Sequence, residues 1–394
     1  MKKILFFAAV IAATVLSLPS CKKNQTPDTD LSKLWPAADA TTGKVGYIDK
    51  MGKFKIPAVY DGASNFFSCG YAKVNVGEMQ YYIDKFGNVK YSSERYLGPF
   101  YYNYATVTDK NGRCGLLNTI FKYSIDPVFN NLKSMSYDGL VAARPAGGGS
   151  YGYVDAKGIF KIDTAYASAK TFVDGHAPVA IAKDIVLKWG LIDKKGNYTV
   201  EPTYLEINAL GHNRWAVRQD NEWVMIDAQG NTKGAYRKIM GSVDGVNLFT
   251  AQNKDGKCGV VDQDGKEVIP FMYDGMVVFN QGMAAAITVN KDLTYTGSII
   301  DSKGNVLYSE KADKWEPQTP MHNGLILIKT TVGGVITKKW MDKTGKVIYS
   351  WKPQWEDLIV EDLSGWDKFI LPQRAPKAEN ETYEWTSEPF YVVK

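Results

Sequence analysis

The sequence predicts an all-β protein made of tandem copies of one small unit, stacked side by side as an open, curved array or solenoid. Two observations support this prediction. First, a motif of an aliphatic residue, an aspartate, two variable residues and a glycine returns at intervals of about 34 to 41 residues. Second, no segment shows a sustained apolar period of about 3.6 residues with helix caps, so we expect almost no helix.

The motif occurs in eight clear copies and one incomplete copy. In each clear copy a glycine follows the aspartate by three residues, and these aspartates are Asp49, Asp84, Asp155, Asp193, Asp227, Asp262, Asp301 and Asp342. Asn118 marks a ninth copy that lacks the glycine. Residues 44–350 are therefore interpreted as nine repeats of one supersecondary unit.

The first copy shows how a unit is built. Residues 45–48 alternate in the manner of a short strand, and Asp49 to Gly52 have the residues of a type I turn. A second strand follows over residues 53–56 and ends at Pro57, because proline cannot donate a hydrogen bond to a sheet. A third alternating segment covers residues 71–76, so each unit is predicted to be a three-stranded antiparallel hairpin meander.

Units this small cannot bury their apolar face alone, so stability is expected to come from stacking on neighbouring units. Where Gly46 lies in the first unit, a glycine recurs at Gly115, Gly152, Gly190 and Gly259. A missing side chain there allows a neighbouring backbone to approach closely. Four units replace this glycine, with Tyr81, Val224, Ser298 and Lys339, and we expect different packing in those units.

The segments before and after the array do not follow the repeat. Residues 351–394 break the period and carry four tryptophans, so they are interpreted as a C-terminal, tryptophan-rich cap on the last unit. At the other end, Lys2 and Lys3 precede an apolar run from Ile4 to Leu18, which is too short to span a bilayer and is typical of a secretory signal peptide over residues 1–20.

The signal segment ends with Leu18 to Cys21, which resembles the lipobox of bacterial lipoproteins. That resemblance implies cleavage before Cys21 and attachment of lipid to this cysteine. The alternative is an ordinary signal peptide with an incidental cysteine. Residues 21–43 are then the lipidated N-terminus and a flexible tether. Lys22 and Lys23 stand where an aspartate would favour retention in the inner membrane, so we expect a bacterial cell-envelope protein anchored in the outer membrane. The sequence does not decide which side of that membrane the protein faces.

Composition excludes several classes of protein. The full chain has a net charge of +5, and removal of Lys2 and Lys3 leaves a nearly balanced mature chain. This balance gives no electrostatic case for a nucleic-acid partner. The mature chain has no apolar run of the length that a transmembrane helix needs. Beyond Cys21 only Cys69, Cys114 and Cys258 remain, so no disulfide framework is predicted.

Residues 188–193, with the sequence KWGLID, and Gly196 resemble the WG (KWG) repeat of bacterial proteins. Ile269, Pro270 and Tyr273 fit the later part of that repeat pattern. The resemblance spans about residues 44 to 350, although the tryptophan itself survives only at Trp189 and Trp223. It implies no shared activity and no catalytic residues. A closed or nearly closed β-propeller-like ring remains the alternative. The open array is preferred because propellers usually have about four to eight blades of four strands, whereas nine units of three strands are predicted here.

No catalytic chemistry is predicted. The three histidines, His176, His212 and His322, lie in unrelated loop contexts without metal-ligand spacing, and no glycine-rich loop has the context of a phosphate site. The recurring aspartates are assigned to turns rather than to metal. We therefore expect a protein that is not an enzyme and has no cofactor and no metal.

Two functions remain open. The first is a lipid-anchored scaffold that binds another envelope protein, which the tether and the extended surface of stacked units favour. The second is binding of glycan, either peptidoglycan or surface polysaccharide, because the 24 tyrosines and 10 tryptophans include candidates for stacking on sugar rings.

Overall fold

The computed structural model describes residues 33–241, 247–353 and 369–370. In these residues every regular element is a β-strand and no helix occurs, so the prediction of an all-β protein is confirmed. The strands form nine antiparallel sheets that follow one another along the chain, and each sheet is one blade of a propeller.

Each of blades 2 to 9 contains four strands in chain order. The first strands of these blades are short, and they are β4 (Gly62–Ala63), β8 (Leu97–Tyr101), β12 (Asn131–Leu132), β16 (Ser168–Ala169), β20 (Glu206–Gly211), β24 (Lys238–Gly241), β28 (Gly275–Val277) and β32 (Lys314–Pro317). Most first strands contact the third strand of the preceding blade, and β20 also contacts β24 of the next blade, so they lie on the inner side of the ring.

The second strand of each blade continues from the first by a short loop. Blade 1 has no first strand among the described residues, so its β1 is a second strand by register. The second strands are β1 (Trp35–Ala38), β5 (Tyr71–Val76), β9 (Tyr104–Thr108), β13 (Val141–Arg144), β17 (His176–Lys183), β21 (Arg214–Gln219), β25 (Leu248–Gln252), β29 (Met283–Val289) and β33 (Leu325–Val332).

The third strands end in the repeated aspartate turn. They are β2 (Val45–Ile48), β6 (Met79–Asp84), β10 (Cys114–Asn118), β14 (Tyr151–Val154), β18 (Val186–Asp193), β22 (Glu222–Ile226), β26 (Cys258–Asp262), β30 (Tyr295–Asp301) and β34 (Val335–Asp342). The second and third strands carry the densest runs of buried residues, because they lie in the middle of the sheet with neighbours on both edges.

The fourth strands expose alternate residues, which places them at the outer rim. They are β3 (Phe54–Tyr60), β7 (Val89–Ser93), β11 (Tyr123–Phe129), β15 (Phe160–Tyr166), β19 (Tyr198–Tyr204), β23 (Thr232–Tyr236), β27 (Glu267–Tyr273), β31 (Val306–Ala312) and β35 (Val347–Trp351). A last strand, β36 (Phe369–Ile370), pairs antiparallel with the free edge of β28 in blade 8.

The open array predicted from the sequence is wrong, and the alternative of a closed propeller-like ring is confirmed. One hydrophobic cluster contains Trp35 and Tyr47 of blade 1 together with Leu327 and Trp340 of blade 9. The first and last blades therefore pack on each other as other neighbouring blades do. The prediction of three-stranded units is also wrong, because first strands as short as Gly62–Ala63 leave no alternating pattern in the sequence.

Glycine at one position of the third strand determines how the fourth strand pairs with it. In blade 4, a Cβ atom at Gly152 would lie 2.5 Å from the carbonyl oxygen of Ile162. All five blades with this glycine have a two-residue register shift in the pairing of the outer strand, as between Tyr151↔Tyr166 and Tyr153↔Ile162. The four blades that replace it pair without a shift at that position. The expectation of different packing in these four blades agrees with this difference.

Both ends of the array differ from the boundaries predicted from the sequence. Leu34 is buried and Trp35–Ala38 is a strand, so the blades begin inside the segment assigned to the tether, and its boundary moves from residue 43 to residue 33. Trp351, assigned to the cap, is the last residue of β35 and is buried in blade 9. The rest of the predicted cap, apart from residues 352–353 and 369–370, lies outside the described residues, as do the signal segment and Cys21.

Candidate functional site

The recurring aspartates act inside their own turns. The Oδ1 atom of Asp49 accepts hydrogen bonds from the backbone N–H groups of Met51, at 2.9 Å, and Lys53, at 3.0 Å. Asn118 in blade 3 makes the same two bonds through its amide oxygen, to Ile120 and Lys122. The oxygens that a metal would need are thus used by the turn, and the described residues contain no cluster of three or more metal-ligating side chains.

Hydrogen bonding also changes the acidity of these aspartates. Burial raises the pKa of Asp84, but bonds from the side chain of Asn88 and the backbone of Asn88 and Phe86 outweigh it, so the pKa of Asp84 is lowered. The pKa values of Asp49, Asp155, Asp227 and Asp342 are lowered in the same way, because backbone and side-chain hydrogen bonds together outweigh burial. These carboxylates remain charged at neutral pH and stabilise the turns.

The histidines and cysteines do not assemble a reactive site. His176 packs edge-on against Trp215 with ring centroids 5.5 Å apart, and partial burial of His322 lowers its pKa. Cys258 is buried, and burial raises its pKa to about 12, in keeping with a small apolar role. Cys114 is only half-buried, and its Sγ atom lies within weak hydrogen-bond distance of the backbone oxygen of Asn130.

Most large aromatic side chains belong to the core. Tyr47, Tyr82 and Tyr153 occupy one equivalent position in blades 1, 2 and 4, and each donates its hydroxyl to a backbone carbonyl of the next blade. The tryptophans of the described residues are buried or half-buried, so none offers a wide exposed ring.

The two ends of the ring differ in structure. We call one end the turn face: it carries the loops between the first and second strands and the aspartate turns between the third and fourth. We call the other end the hairpin face: it carries the hairpins between the second and third strands. Contacts join the two kinds of loop on the turn face, since Lys194 in an aspartate turn pairs with Asp138 in a loop, at 3.2 Å.

Side chains also link neighbouring loops on the turn face. The Oδ2 atom of Asp138 accepts the N–H of Gly175 in the next blade, at 3.2 Å, and Asp174 accepts the N–H of Asn213 in the same way, at 2.9 Å. Gln281 accepts the N–H of Gly324 at the corresponding position. These bonds hold the loops of adjacent blades in a fixed arrangement.

An exposed apolar arc lies on the turn face of blades 1 to 3. It consists of Met51, Phe86 and Ile120, which occupy the third position of three consecutive turns and are each more than 60% exposed. The other six blades have polar residues at this position, namely Lys157, Lys195, Gln229, Asp264, Lys303 and Thr344. Apolar side chains therefore follow one sector of the ring rather than the repeat.

A tyrosine pair extends this arc into the neighbouring loops. Tyr102 of blade 3 and Tyr137 of blade 4 contact each other edge-to-face, with ring centroids 5.7 Å apart. Both are exposed, Tyr137 by 82%. None of the three arc residues and two tyrosines was predicted as a site from the sequence. The three arc residues could have been found by comparing the third turn position across the repeats.

The hairpin face carries apolar side chains of its own. The hairpins of blades 5 and 9 have the longest strand pairing among second and third strands, eight residue pairs each. Ile185, at the tip in blade 5, is fully exposed, and Val186 and Leu187 beside it are more than a third exposed. In blade 9, Val332 and Val335 flank the tip and are similarly exposed.

Comparison with known proteins agrees with this architecture. The family model of the WG containing repeat matches residues 46–79, 189–223 and 259–291, which begin in blades 1, 5 and 7. All three of these blades have the strand glycine and the shifted outer strand. No curated protein matches the chain in sequence.

One solved structure shares the fold at low sequence identity. A eukaryotic initiation factor is similar with a TM-score of 0.56 and 11% identity, over 80% of this chain and 95% of that chain. BamB from Moraxella catarrhalis matches with a TM-score of 0.33 and 12% identity, over 81% of this chain and 96% of that chain. The described residues contain no helix that could span a membrane. The chain is thus a closed, nine-bladed β-propeller that carries WG-containing repeats at three positions.

Proposed function

We propose that this chain is a lipid-anchored, non-enzymatic propeller that binds another protein of the bacterial cell envelope through its hairpin face. The observation that carries the proposal is the fully exposed Ile185 at the tip of an extended hairpin, beside Val186 and Leu187. Scattered single apolar side chains are normal on protein surfaces, but a run of three at a projecting tip is typical of an interaction site.

The anchor in this proposal is Cys21, and its support is the sequence of the first 23 residues. Several acyl chains on one cysteine hold a protein stably at a membrane, whereas one chain does so only marginally. The outer membrane is the expected location. Metabolic labelling with a clickable fatty acid should mark the protein, and Cys21→Ala should abolish the label. Labelling of the variant would contradict this assignment.

Crosslinking in cells tests the protein-binding role. A photoreactive amino acid at position 185 or 335 of the full lipidated chain should capture one reproducible partner. A matched control is position 306, since Val306 is equally apolar and exposed but lies on the outer strand of blade 8. Capture from position 185 should fall when Val335→Asp is added, capture from position 335 should fall when Ile185→Asp is added, and both should survive Val306→Asp. The same products from position 306, or no partner at any position, would contradict the proposal.

Glycan binding is the second candidate, and the tyrosine pair favours it. Tyr102 and Tyr137 are exposed aromatic rings in contact, and aromatic faces can stack on sugars. Sedimentation with purified peptidoglycan and with surface polysaccharide would measure this activity. Binding that is lost in Tyr137→Ala, but kept in Ile185→Asp, would favour glycan as the ligand. No enrichment with either polymer would reject it.

A further inference from the structure

The chain enters the propeller at the turn face. Trp35 begins β1, a second strand, and such strands start at the loops of this face. The Nε1 atom of Trp35 donates a hydrogen bond of 2.9 Å to the carbonyl oxygen of His322, which lies in a turn-face loop of blade 9. The first described residues of the chain, Lys33 to Trp35, therefore lie at the turn face of blade 1.

The exposed apolar arc begins at the same blade. Met51 belongs to blade 1, where the chain enters, and Phe86 and Ile120 follow in blades 2 and 3. Cys21 lies twelve positions before Lys33 in the sequence, and even a fully extended chain of that length reaches no more than about 40 Å. An acyl group on Cys21 is thus tied to the blade that begins the exposed apolar arc.

The central positions of the aspartate turns carry mostly positive charges, of which Lys50 and Lys85 lie beside the arc. At the two central positions of the nine turns, the charged residues are Lys50, Lys85, Lys157, Lys194, Lys195, Lys303 and Lys343 against one acid, Asp264. The first aspartate of each turn is directed into the turn, where it accepts backbone hydrogen bonds. Lys50 and Lys85 directly precede Met51 and Phe86, so the arc combines apolar tips with lysine ammonium groups.

We propose that the turn face of blades 1 to 3 rests on a phospholipid surface with anionic headgroups, in the membrane that holds the lipid on Cys21. Met51, Phe86 and Ile120 enter the boundary between headgroups and acyl chains, and the neighbouring lysines contact phosphate. This inference rests on the lipid anchor of the proposed function. It orients the molecule, because the hairpin face then points away from the membrane and towards a protein partner.

The arc is confined to one sector that starts where the described chain enters the ring, since blade 9, on the other side of blade 1, has Thr344 at this position. Blades 5 to 7, on the other side of the ring, have Lys195, Gln229 and Asp264 at the position of the arc. A protein partner that covered the whole face would favour apolar groups in more than one sector.

Vesicle binding by a chain without lipid tests the surface itself. The mature chain from residue 21, with Cys21→Ser, is mixed with vesicles of phosphatidylcholine containing phosphatidylglycerol, and binding is measured by co-sedimentation. We expect binding that increases with the phosphatidylglycerol fraction and decreases with salt. The Phe86→Ser, Ile120→Ser double variant should bind roughly tenfold more weakly, since it removes about half or more of the inserted apolar area.

The control is Ile185→Ser, which removes an equally exposed side chain from the hairpin face and should bind vesicles normally. Absence of vesicle binding, or equal loss in the Ile185→Ser control, would overturn the inference. So would binding of peptidoglycan in place of vesicles with the same sensitivity to Phe86→Ser. These results leave lipid labelling at Cys21 and crosslinking at position 185 unaffected, so failure here is distinguishable from failure of the proposed function.

Discussion

The aspartate of each turn works through a single oxygen atom that accepts two backbone N–H groups. This role was predictable from the sequence, because aspartate followed three residues later by glycine is typical of a type I turn. The sequence did not indicate which groups the second carboxylate oxygen binds. In blade 2, the Oδ2 atom of Asp84 accepts the side-chain amide of Asn88, at 3.1 Å, and pairs with Lys90, at 3.2 Å.

These aspartates predict the response of the protein to acid. Their pKa values are lowered in the folded state, so the stability that they contribute is present above about pH 4, the unfolded pKa of aspartate, and is lost as pH falls through the lower folded values. We expect the urea midpoint to fall steeply below about pH 4. A midpoint that stays constant from pH 5 to pH 3 would contradict the role assigned to these carboxylates.

One turn can be tested against a natural comparison within the chain. Asn118 shows that an amide oxygen satisfies both N–H groups without a charge. The Asp84→Asn variant should therefore be only slightly less stable at neutral pH and should lose less stability than the parent on acidification. Asp84→Ala, which removes both acceptors, should be clearly less stable at every pH. Equal stability of the two variants in urea at pH 7 would contradict this account.

Phe121 shows where residue-level reasoning could not succeed. It occupies the position of the missing turn glycine in blade 3 and adopts a φ of 59°, which favours glycine. Its ring stacks on Tyr91 of blade 2 at 5.9 Å and contacts Tyr71 at 4.9 Å. Packing in this aromatic cluster offsets the backbone strain, and a single sequence contains no sign of which distant rings will meet.

At the scale of the strand, the positions of the third and fourth strands were predictable and the first strand was not. The predicted end of the fourth strand at Pro57 is wrong, because β3 continues through the proline to Tyr60. The third and fourth strands have alternating patterns around a turn with a recognisable motif. The first strands include pieces of two residues, such as Ser168–Ala169, and they are positioned by pairing with the second strand. Their existence depends on tertiary structure, which also explains why the units counted from the sequence had three strands.

The strand glycine predicts the shape of the outer strand, and Gly152→Ala tests this. The added Cβ atom would lie 2.5 Å from the carbonyl oxygen of Ile162, so the shifted outer strand of blade 4 must move. We expect a loss of about 1–3 kcal/mol of unfolding free energy, measured by urea denaturation. Gly147→Ala is the matched control, since it lies in the same blade with nothing within 4 Å.

A result in which both alanine variants are equally stable would show that the glycine is not needed for the register shift. A crystal structure of Gly152→Ala offers a second measurement. It should show blade 4 paired without a shift, as blade 6 is at Val224↔Ala235, or else a displaced outer strand. Retention of the parent register with no displacement would contradict the steric argument.

At the scale of the whole molecule, closure of the ring follows from one contact repeated around it. The turn of each blade packs on the outer strand of the blade before it, as Gly87 does on Ile56 and Gly196 on Ile162. The series returns to its start, because Gly52 of blade 1 packs on the backbone of Ile348 in blade 9. The small rotation between neighbouring blades decides between an open array and a ring, and no local sequence pattern specifies that angle.

Blade 1 poses a special problem because it lacks a first strand among the described residues, which leaves one edge of β1 without a sheet partner. Side chains of blade 9 take over that role. Trp340 donates its indole N–H to the carbonyl oxygen of Pro36, at 2.7 Å, and Tyr349 donates its hydroxyl to that of Ala38, at 3.1 Å. Pro36 suits this edge, since it has no N–H to satisfy. Among the described residues, side chains rather than an exchanged strand close the ring.

This closure predicts that Trp340 matters more than another fully buried tryptophan. Trp340→Phe removes the bond to Pro36 and leaves a buried carbonyl unpaired, whereas Trp215→Phe removes an indole N–H that has no hydrogen-bond partner in the described part of the chain. Both side chains are fully buried, so the lost packing is comparable. We expect Trp340→Phe to be about 1 kcal/mol or more less stable than Trp215→Phe in urea. Hydrogen exchange should also become faster in β1, because opening of the contact between blades 1 and 9 exposes the edge of blade 1 first. Unchanged exchange in β1 would mean that apolar packing alone holds these two blades together.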